Sequence, residues 1–100
     1  MEKRTPAYDL SGFQMEFTTV RALRLTRTAS TFALALGLTL LDVVEVIQSM
    51  KREHFYKSMT VDGNSRVWQD VYHVPWAGLT LYVKLTIDDE GRLLVSFKEK

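Results

Sequence analysis

Four polar residues interrupt strand-like segments in the second half of the chain, and their types suit an anionic substrate. They are Lys57, Gln69, Tyr82 and Lys98. A lysine ammonium can neutralise a phosphate and the negative charge that builds on it in a transition state. A tyrosine, or a lysine of lowered pKa, can transfer a proton. The residue types therefore indicate a site that binds or cleaves a polyanion.

Further residues on the same segments are candidate neighbours of these four, namely His54, Tyr56, Tyr72, His73, Lys84 and Arg92. Exposed aromatic rings on a sheet can stack on unpaired bases. RNA can be cleaved without a metal, because its own 2′-hydroxyl is the nucleophile and the protein need only assist proton transfer and stabilise the phosphorane. Each residue type also has a structural interpretation, since strand lysines commonly protect sheet edges and strand tyrosines commonly stay half-buried. Spacing alone indicates a domain that binds something anionic.

Other classes of active site find little support in the sequence. There is no phosphate-binding glycine loop and no His and Cys spacing for zinc, and neither His54 nor His73 belongs to a carboxylate motif. The absence of cysteine excludes disulfides and thiolate metal sites. No nucleophile elbow of a serine hydrolase is visible. We therefore expect neither a metal nor another cofactor.

The first half of the chain predicts helices. Residues 1–8 are expected to form an exposed arm, and Asp9 to cap a helix that carries Leu10, Phe13 and Phe17 on one face. Residues 20–25 are expected to be a connector.

Two more helices are expected before residue 51. Thr26 or Thr28 caps the first of them, and Gly37 ends it. Thr39 and Asp42 begin the second. Its buried stripe is predicted to be Leu40, Val43, Val44, Ile47 and Met50. Because the connection is so short, these two helices are expected to pack as a pair.

The second half of the chain predicts a four-stranded antiparallel meander over residues 54–61, 66–74, 79–87 and 92–99. The turns are expected at Asp62-Gly63-Asn64, at Pro75 with Gly78, and at residues 88–91. Clean alternation in the last two strands places Tyr82 and Lys98 on the face turned away from the helices. Lys57 and Gln69 share parity with apolar neighbours, so parity alone does not place them. A bulge, a strong twist, or apolar residues that line a cleft would each resolve this conflict.

The length and composition fit one soluble globular domain over residues 1–100. The chain is 46% hydrophobic and 25% charged, which is close to the average for such domains. Its longest apolar run, residues 32–41, is shorter than the roughly 20 residues that cross a bilayer. The charges at the start are followed by no apolar segment of the secretory type. We therefore expect a cytoplasmic protein without a membrane partner.

Several unbroken words occur in order along the chain: MEKRTP, FYKSMT followed by WQDVY, LYVKLT and VSFKEK. On these words the sequence resembles the motility quorum-sensing regulator toxin family, mRNA interferases of the RelE-like toxin group, over nearly its whole length. The resemblance implies an α+β fold whose N-terminal helices pack on one face of an antiparallel sheet. It also implies a bacterial type II toxin that cleaves mRNA without ribosome or metal, with a preference around GCU. The implied partner is an antitoxin of the MqsA type, with zinc-binding and helix-turn-helix regions of its own.

The resemblance also implies which residues act. The lysine of FYKSMT is Lys57, the glutamine of WQDVY is Gln69, and the tyrosine of LYVK and the lysine of SFKEK are Tyr82 and Lys98. The first helix is less basic than is usual in the family, and HVP, with His73, stands where relatives carry an arginine before the proline. These departures bear on RNA affinity and substrate preference. Besides the four catalytic candidates, Tyr56, His73, Lys84 and Arg92 are predicted to bind RNA. The alternative is a non-catalytic interaction module that keeps the fold.

Overall fold

The computed structural model describes residues 1–61 and 63–99, which form α-helices packed on one face of a five-stranded antiparallel sheet. The predicted α+β class, with N-terminal helices on one side of the sheet, is confirmed. The strands follow one another in space in the order in which they occur in the chain.

The three α-helices lie where the capping residues predict them. Helix α1, Leu10–Glu16, begins at Asp9, whose Oδ1 accepts a hydrogen bond from the Ser11 amide at 3.1 Å. Helix α2, Arg27–Leu36, is capped by Thr26 rather than Thr28 and ends at Gly37, whose φ of 73° only glycine adopts without strain. Helix α3, Leu40–Ser49, begins with a capping box in which Thr39 and Asp42 satisfy each other's amides.

Two expectations about the helices are wrong. The axes of α2 and α3 are bent by 103° at their junction, so the two helices do not pack along each other. Instead α2 contacts the last strand and α3 contacts α1. Leu40 is 48% exposed, and Val46 is buried within the stripe instead.

No described helix is by itself long and apolar enough to cross a membrane, and only the bent pair of α2 and α3 together has the length and composition.

The five strands are β1, Glu2–Lys3; β2, Phe55–Val61; β3, Asn64–Trp76; β4, Leu79–Ile87; and β5, Leu93–Glu99. The predicted meander corresponds to β2 to β5. Asp62, part of the first predicted turn, lies outside the described residues. At the second turn β3 continues through Pro75, which is opposite Thr80 and beyond the last residue paired with β2. An unpaired side tolerates a residue without an amide proton, so the turn itself is only Ala77-Gly78.

The N-terminal segment that was predicted to be an exposed arm contains β1, the strand that the predicted four-stranded meander lacks, and the residues that follow it. Residues of β1 pair with Met59 and Ser58 of β2. Further along, the fully buried Asp70 accepts hydrogen bonds from the amides of Ala7 and Tyr8, each at 2.9 Å. An arm whose backbone amides end on a buried carboxylate is part of the folded structure, which is why the expectation of an exposed arm is wrong.

The expected connector contains a short 3₁₀ helix, Val20–Ala22, and then an extended segment. Leu25 bridges to Val95 in parallel, and the Thr26 amide donates to the Val95 carbonyl at 3.1 Å. This segment covers the outer edge of β5, where unpaired strand groups would otherwise invite association with another chain.

The hydrophobic core lies between the helices and one face of the sheet. Phe13 and Phe17 of the first helical segment pack there with Ile47 of α3. From the sheet come alternate residues of β3, β4 and β5, namely Tyr72, Val74, Leu81, Val83, Leu85, Val95 and Phe97. The residues between them in sequence consequently point to the opposite face, which we call the open face of the sheet.

Candidate active site on the open face of the sheet

Strand register arranges the open-face residues in three rows that run across the sheet. The first row contains His73, Tyr82 and Lys98; the second contains Lys57, Val71, Lys84 and Ser96; the third contains Met59, Gln69, Thr86 and Leu94. All four residues predicted to be catalytic therefore lie on one face. Gln69 occupies the third row, beside rather than between the other three.

A β-bulge resolves the parity conflict at Lys57. The register of β2 against β3 shifts between Phe55 and Lys57. Phe55 turns towards the helices and meets the Tyr72 ring edge-on at 5.5 Å, whereas Lys57, opposite Val71, faces outwards. Bulges commonly redirect side chains in this way.

For Gln69 no bulge is needed. Val71, which shares its parity, is 2% exposed and lines a depression on the open face. Val71 thus lines the cleft, as one of the alternative explanations proposed, whereas Val67 and Gln69 itself are not among the residues that line it.

Three stacked rings form a ladder across strands β2, β3 and β4. The centroid of the His73 ring lies 4.3 Å from that of Tyr56 and 4.5 Å from that of Tyr82, with interplanar angles of 30° and 13°. The bulge places Tyr56 within reach of this row. We call Tyr56, His73 and Tyr82 the ring ladder.

Two lysines flank the ring ladder at its ends. Lys57 Nζ lies 5.3 Å from the Tyr56 centroid, and Lys98 Nζ lies 5.8 Å from the Tyr82 centroid. Both distances are within the range in which a cation is attracted to a ring face. The arrangement places one positive charge near each of the two phenols.

A shallow depression of about 150 Å³ lies among these groups. Its lining combines positive, phenolic and apolar side chains: Tyr56, Lys57, Met59, Val71, Tyr82, Lys84 and Lys98. Two larger depressions, of about 410 and 520 Å³, lie on α2 and between α2 and α3. Among the described residues, their lining contains no acid, no histidine and no tyrosine, so they offer less chemistry than the smaller one.

Lys57 is held in an ion pair with Glu2 of β1. Its Nζ donates to Glu2 Oε2 at 2.6 Å. This hydrogen bond and the attraction between the charges raise the pKa of Lys57 above its usual value, although desolvation opposes them. Lys57 is therefore a cation at neutral pH, and an ammonium that keeps its proton serves charge neutralisation better than it serves as a base.

The structure separates the remaining candidates from this cluster. Tyr72 is buried on the helix face, where burial and the nearby charge of Asp70 raise its pKa to about 12. His54 ends a 3₁₀ helix, and its Nδ1 accepts from the Lys51 amide at 3.0 Å. Arg92 lies in the turn between β4 and β5, where its Nε contacts Asp88 Oδ2 at 3.2 Å. None of these three lines the depression.

Sequence reasoning missed Glu2 and the buried pair Ser58 and Asp70. Ser58 Oγ donates to Asp70 Oδ1 at 2.7 Å on the helix face. Their signal was available, since two polar residues stand at inward positions of apolar strands and so require partners. Glu2 gave no local signal, because its role depends on the pairing of β1 with β2.

Among the residues that the structure describes, no group of three or more His, Cys, Asp or Glu side chains is placed to hold a metal ion. The polar groups of the candidate site are cations, phenols, one imidazole, one amide and the carboxylate of Glu2.

Comparisons with known proteins point to a single family. The model of the motility quorum-sensing regulator family, described as the toxin of MqsA, matches residues 5–99. The mRNA interferase toxin MqsR of Escherichia coli strain K12 is 39% identical over 100 residues, which span the whole of both chains.

Proposed function

The chain belongs to the motility quorum-sensing regulator toxin family, and from this membership we propose that it is an endoribonuclease toxin that cleaves mRNA. The observation that carries the proposal is the convergence of Lys57, Tyr82 and Lys98 on one depression of the open face. Cations and a phenol in that arrangement match the needs of phosphodiester transfer. We also propose that the reaction requires no metal or ribosome and prefers sites around GCU.

In the proposed reaction the RNA supplies its own nucleophile. A ribose 2′-oxygen forms a bond to the adjacent phosphorus, the bond from phosphorus to the 5′-oxygen breaks, and a 2′,3′-cyclic phosphate and a 5′-hydroxyl result. One proton leaves the 2′-hydroxyl and another reaches the departing 5′-oxygen. Tyr82 transfers a proton, while Lys57 and Lys98 neutralise the charge on the phosphorane.

The other open-face residues serve binding in this proposal. Gln69, in the neighbouring row, orients a phosphate or a base through its amide. Tyr56 and His73, as parts of the ring ladder, offer a surface for unpaired bases. Lys84 adds positive charge within the depression. Arg92 was also predicted to bind RNA; it lies in the turn between β4 and β5 and does not line the depression, so its proposed contact is with a part of the RNA outside the depression.

The partner proposed for this toxin is an antitoxin of the MqsA type, with zinc-binding and helix-turn-helix regions. With mRNA as its substrate, the toxin is proposed to act in the cytoplasm. A small reading frame beside this one that encodes such a protein would support the pairing. Addition of the purified antitoxin is expected to suppress cleavage by the toxin.

The decisive experiment uses an end-labelled RNA that contains GCU, incubated with the purified chain in EDTA. We expect cleavage by the wild type, and a loss of about 100-fold or more for Lys57→Ala, Tyr82→Phe or Lys98→Ala, as for removal of one charge-stabilising donor. Arg27→Ala, which removes an exposed cation from α2 on the other side of the sheet, is the control. No cleavage by the wild type would favour the non-catalytic module. Full activity in all three site variants would refute the site.

A further inference from the structure

Glu2 lies on the open face beside the proposed catalytic lysine. It pairs with Met59, itself an open-face residue, so the same register points its side chain towards the depression. Its carboxylate oxygen Oε2 accepts a hydrogen bond from the Nζ of Lys57 at 2.6 Å. The hydrogen bond to Lys57 and the charge of that lysine lower the pKa of Glu2. The Glu2 carboxylate is therefore already paired with the Lys57 ammonium, which is proposed to bind a phosphate of the substrate.

The backbone around Glu2 is fixed while its side chain remains accessible. The Thr60 amide donates to the Met1 carbonyl at 3.0 Å, and the Tyr8 hydroxyl donates to the Trp68 carbonyl at 2.9 Å. The side chain of Glu2 is nevertheless 54% exposed, against 22% for Lys57. Rotation of the Glu2 side chain into solvent would release the lysine without any movement of the strand.

We propose that Glu2 occupies, in the RNA-free protein, the place of a substrate phosphate on Lys57, and that RNA displaces it when it binds. The proposal rests on the proposed function of this site. A carboxylate and a phosphate are both anionic acceptors for an ammonium group, and their mutual repulsion disfavours binding of both at one Nζ. Because solvent-exposed ion pairs are weak, a phosphate held by further lysines displaces the carboxylate readily. Glu2 thus limits the affinity for RNA and takes no part in bond breaking.

The test compares Glu2→Gln with Glu16→Gln. Each variant loses one negative charge, but Glu16 lies on α1 and pairs with Arg24 at 3.6 Å, away from the open face. The probe is an RNA oligonucleotide containing GCU with a 2′-deoxy residue at the cleavage position, so that it binds without reaction. At fixed salt we expect Glu2→Gln to lower the Kd by about two- to fivefold, the range for an exposed pair, and Glu16→Gln to leave it unchanged. With cleavable RNA, the kcat of Glu2→Gln is expected to stay within about twofold of wild type.

Two results would overturn the proposal. Equal changes of Kd in both variants would show only the effect of net charge. A fall of kcat by tenfold or more in Glu2→Gln, with Kd unchanged, would place Glu2 in the chemistry or in the orientation of Lys57.

The proposal about Glu2 is separable from the proposed function. If the wild type neither binds nor cleaves RNA, the proposed function fails. Titration with inorganic pyrophosphate, followed by the amide resonances of Tyr56 and Lys57, then still tests whether Glu2→Gln tightens binding of an anion. An unchanged pyrophosphate affinity in that variant would refute the displacement.

Discussion

At the scale of single residues, the ring ladder connects the sequence's departure from its family to the geometry of the site. His73 stands near the position at which the family resemblance implies an arginine, and its ring stacks on those of both Tyr56 and Tyr82, whose centroids are themselves 6.4 Å apart. Each aromatic contact of this kind contributes about 0.5 to 1.5 kcal/mol. The ladder therefore holds Tyr82 at a fixed angle to the depression, and a flat ring at residue 73 is what this requires.

We predict that His73→Ala lowers kcat/KM for a GCU-containing RNA by about tenfold, because two ring contacts are lost. His73→Phe, which preserves a flat ring without an ionisable nitrogen, is expected to stay within about twofold of wild type. Thermal unfolding of both variants serves as the control for folding. If the phenylalanine variant were as impaired as the alanine variant, the polar chemistry of the imidazole, and not its stacking, would be the property in use.

At the scale of elements, the arm that carries Glu2 depends on Asp70. This carboxylate is fully buried and accepts from two arm amides and from Ser58. Asp70→Asn replaces one acceptor oxygen by a donor, which leaves one of the two arm amides facing an NH₂ group instead of its acceptor. We predict a loss of about 2 to 4 kcal/mol in the free energy of unfolding, measured in urea. Asp9→Asn, an equal change at an exposed helix cap, is expected to be nearly neutral; similar losses in both would contradict this role for Asp70.

In the turn between β3 and β4, one residue has a backbone conformation that is unfavourable for its type. Ala77 has a φ of 48° and Gly78 one of 81°, and hairpin turns with two positive φ values favour Asn-Gly. We predict that Ala77→Asn raises the free energy of unfolding by about 0.5 to 1 kcal/mol, because asparagine tolerates the left-handed region better than alanine. Ala77→Val should lower it. A urea midpoint that falls for the asparagine variant would show that the turn is not under strain at this residue.

Local signals and long-range pairing explain which features the sequence predicted. Caps at Asp9 and Thr39 and the alternation in β4 depend on neighbours in the chain, and all three were predicted. The position of the bulge before Lys57, the pairing of Glu2 with Met59 and the 103° bend after Gly37 depend on partners distant in sequence. Residue types alone suggested Lys57 and Gln69, but only the sheet register could show that both face the same side.

At the scale of the whole molecule, a net charge of only +1 conceals an uneven distribution. Lys57, Lys84 and Lys98 converge on the open face, and the arm supplies Glu2, which pairs with Lys57. Binding of single-stranded RNA to such a surface releases counterions, so affinity should fall with salt by a slope of about 0.7 in log Kd per phosphate contact. The number of phosphate contacts that the site makes can therefore be measured in solution from the salt dependence of Kd.

We predict that Lys84→Gln reduces the slope of log Kd against log salt concentration by about 0.7, since one phosphate contact is lost. Arg27→Gln removes the same charge from α2, on the helix side of the sheet, and should leave the slope unchanged. The measurement is fluorescence anisotropy with the 2′-deoxy RNA between about 50 and 200 mM salt, a range over which such contacts are resolved. Equal slopes for Lys84→Gln and wild type would show that Lys84 does not contact a phosphate of the bound RNA. Equal reductions in both variants would show that RNA responds to the total charge of the molecule and not to the open face.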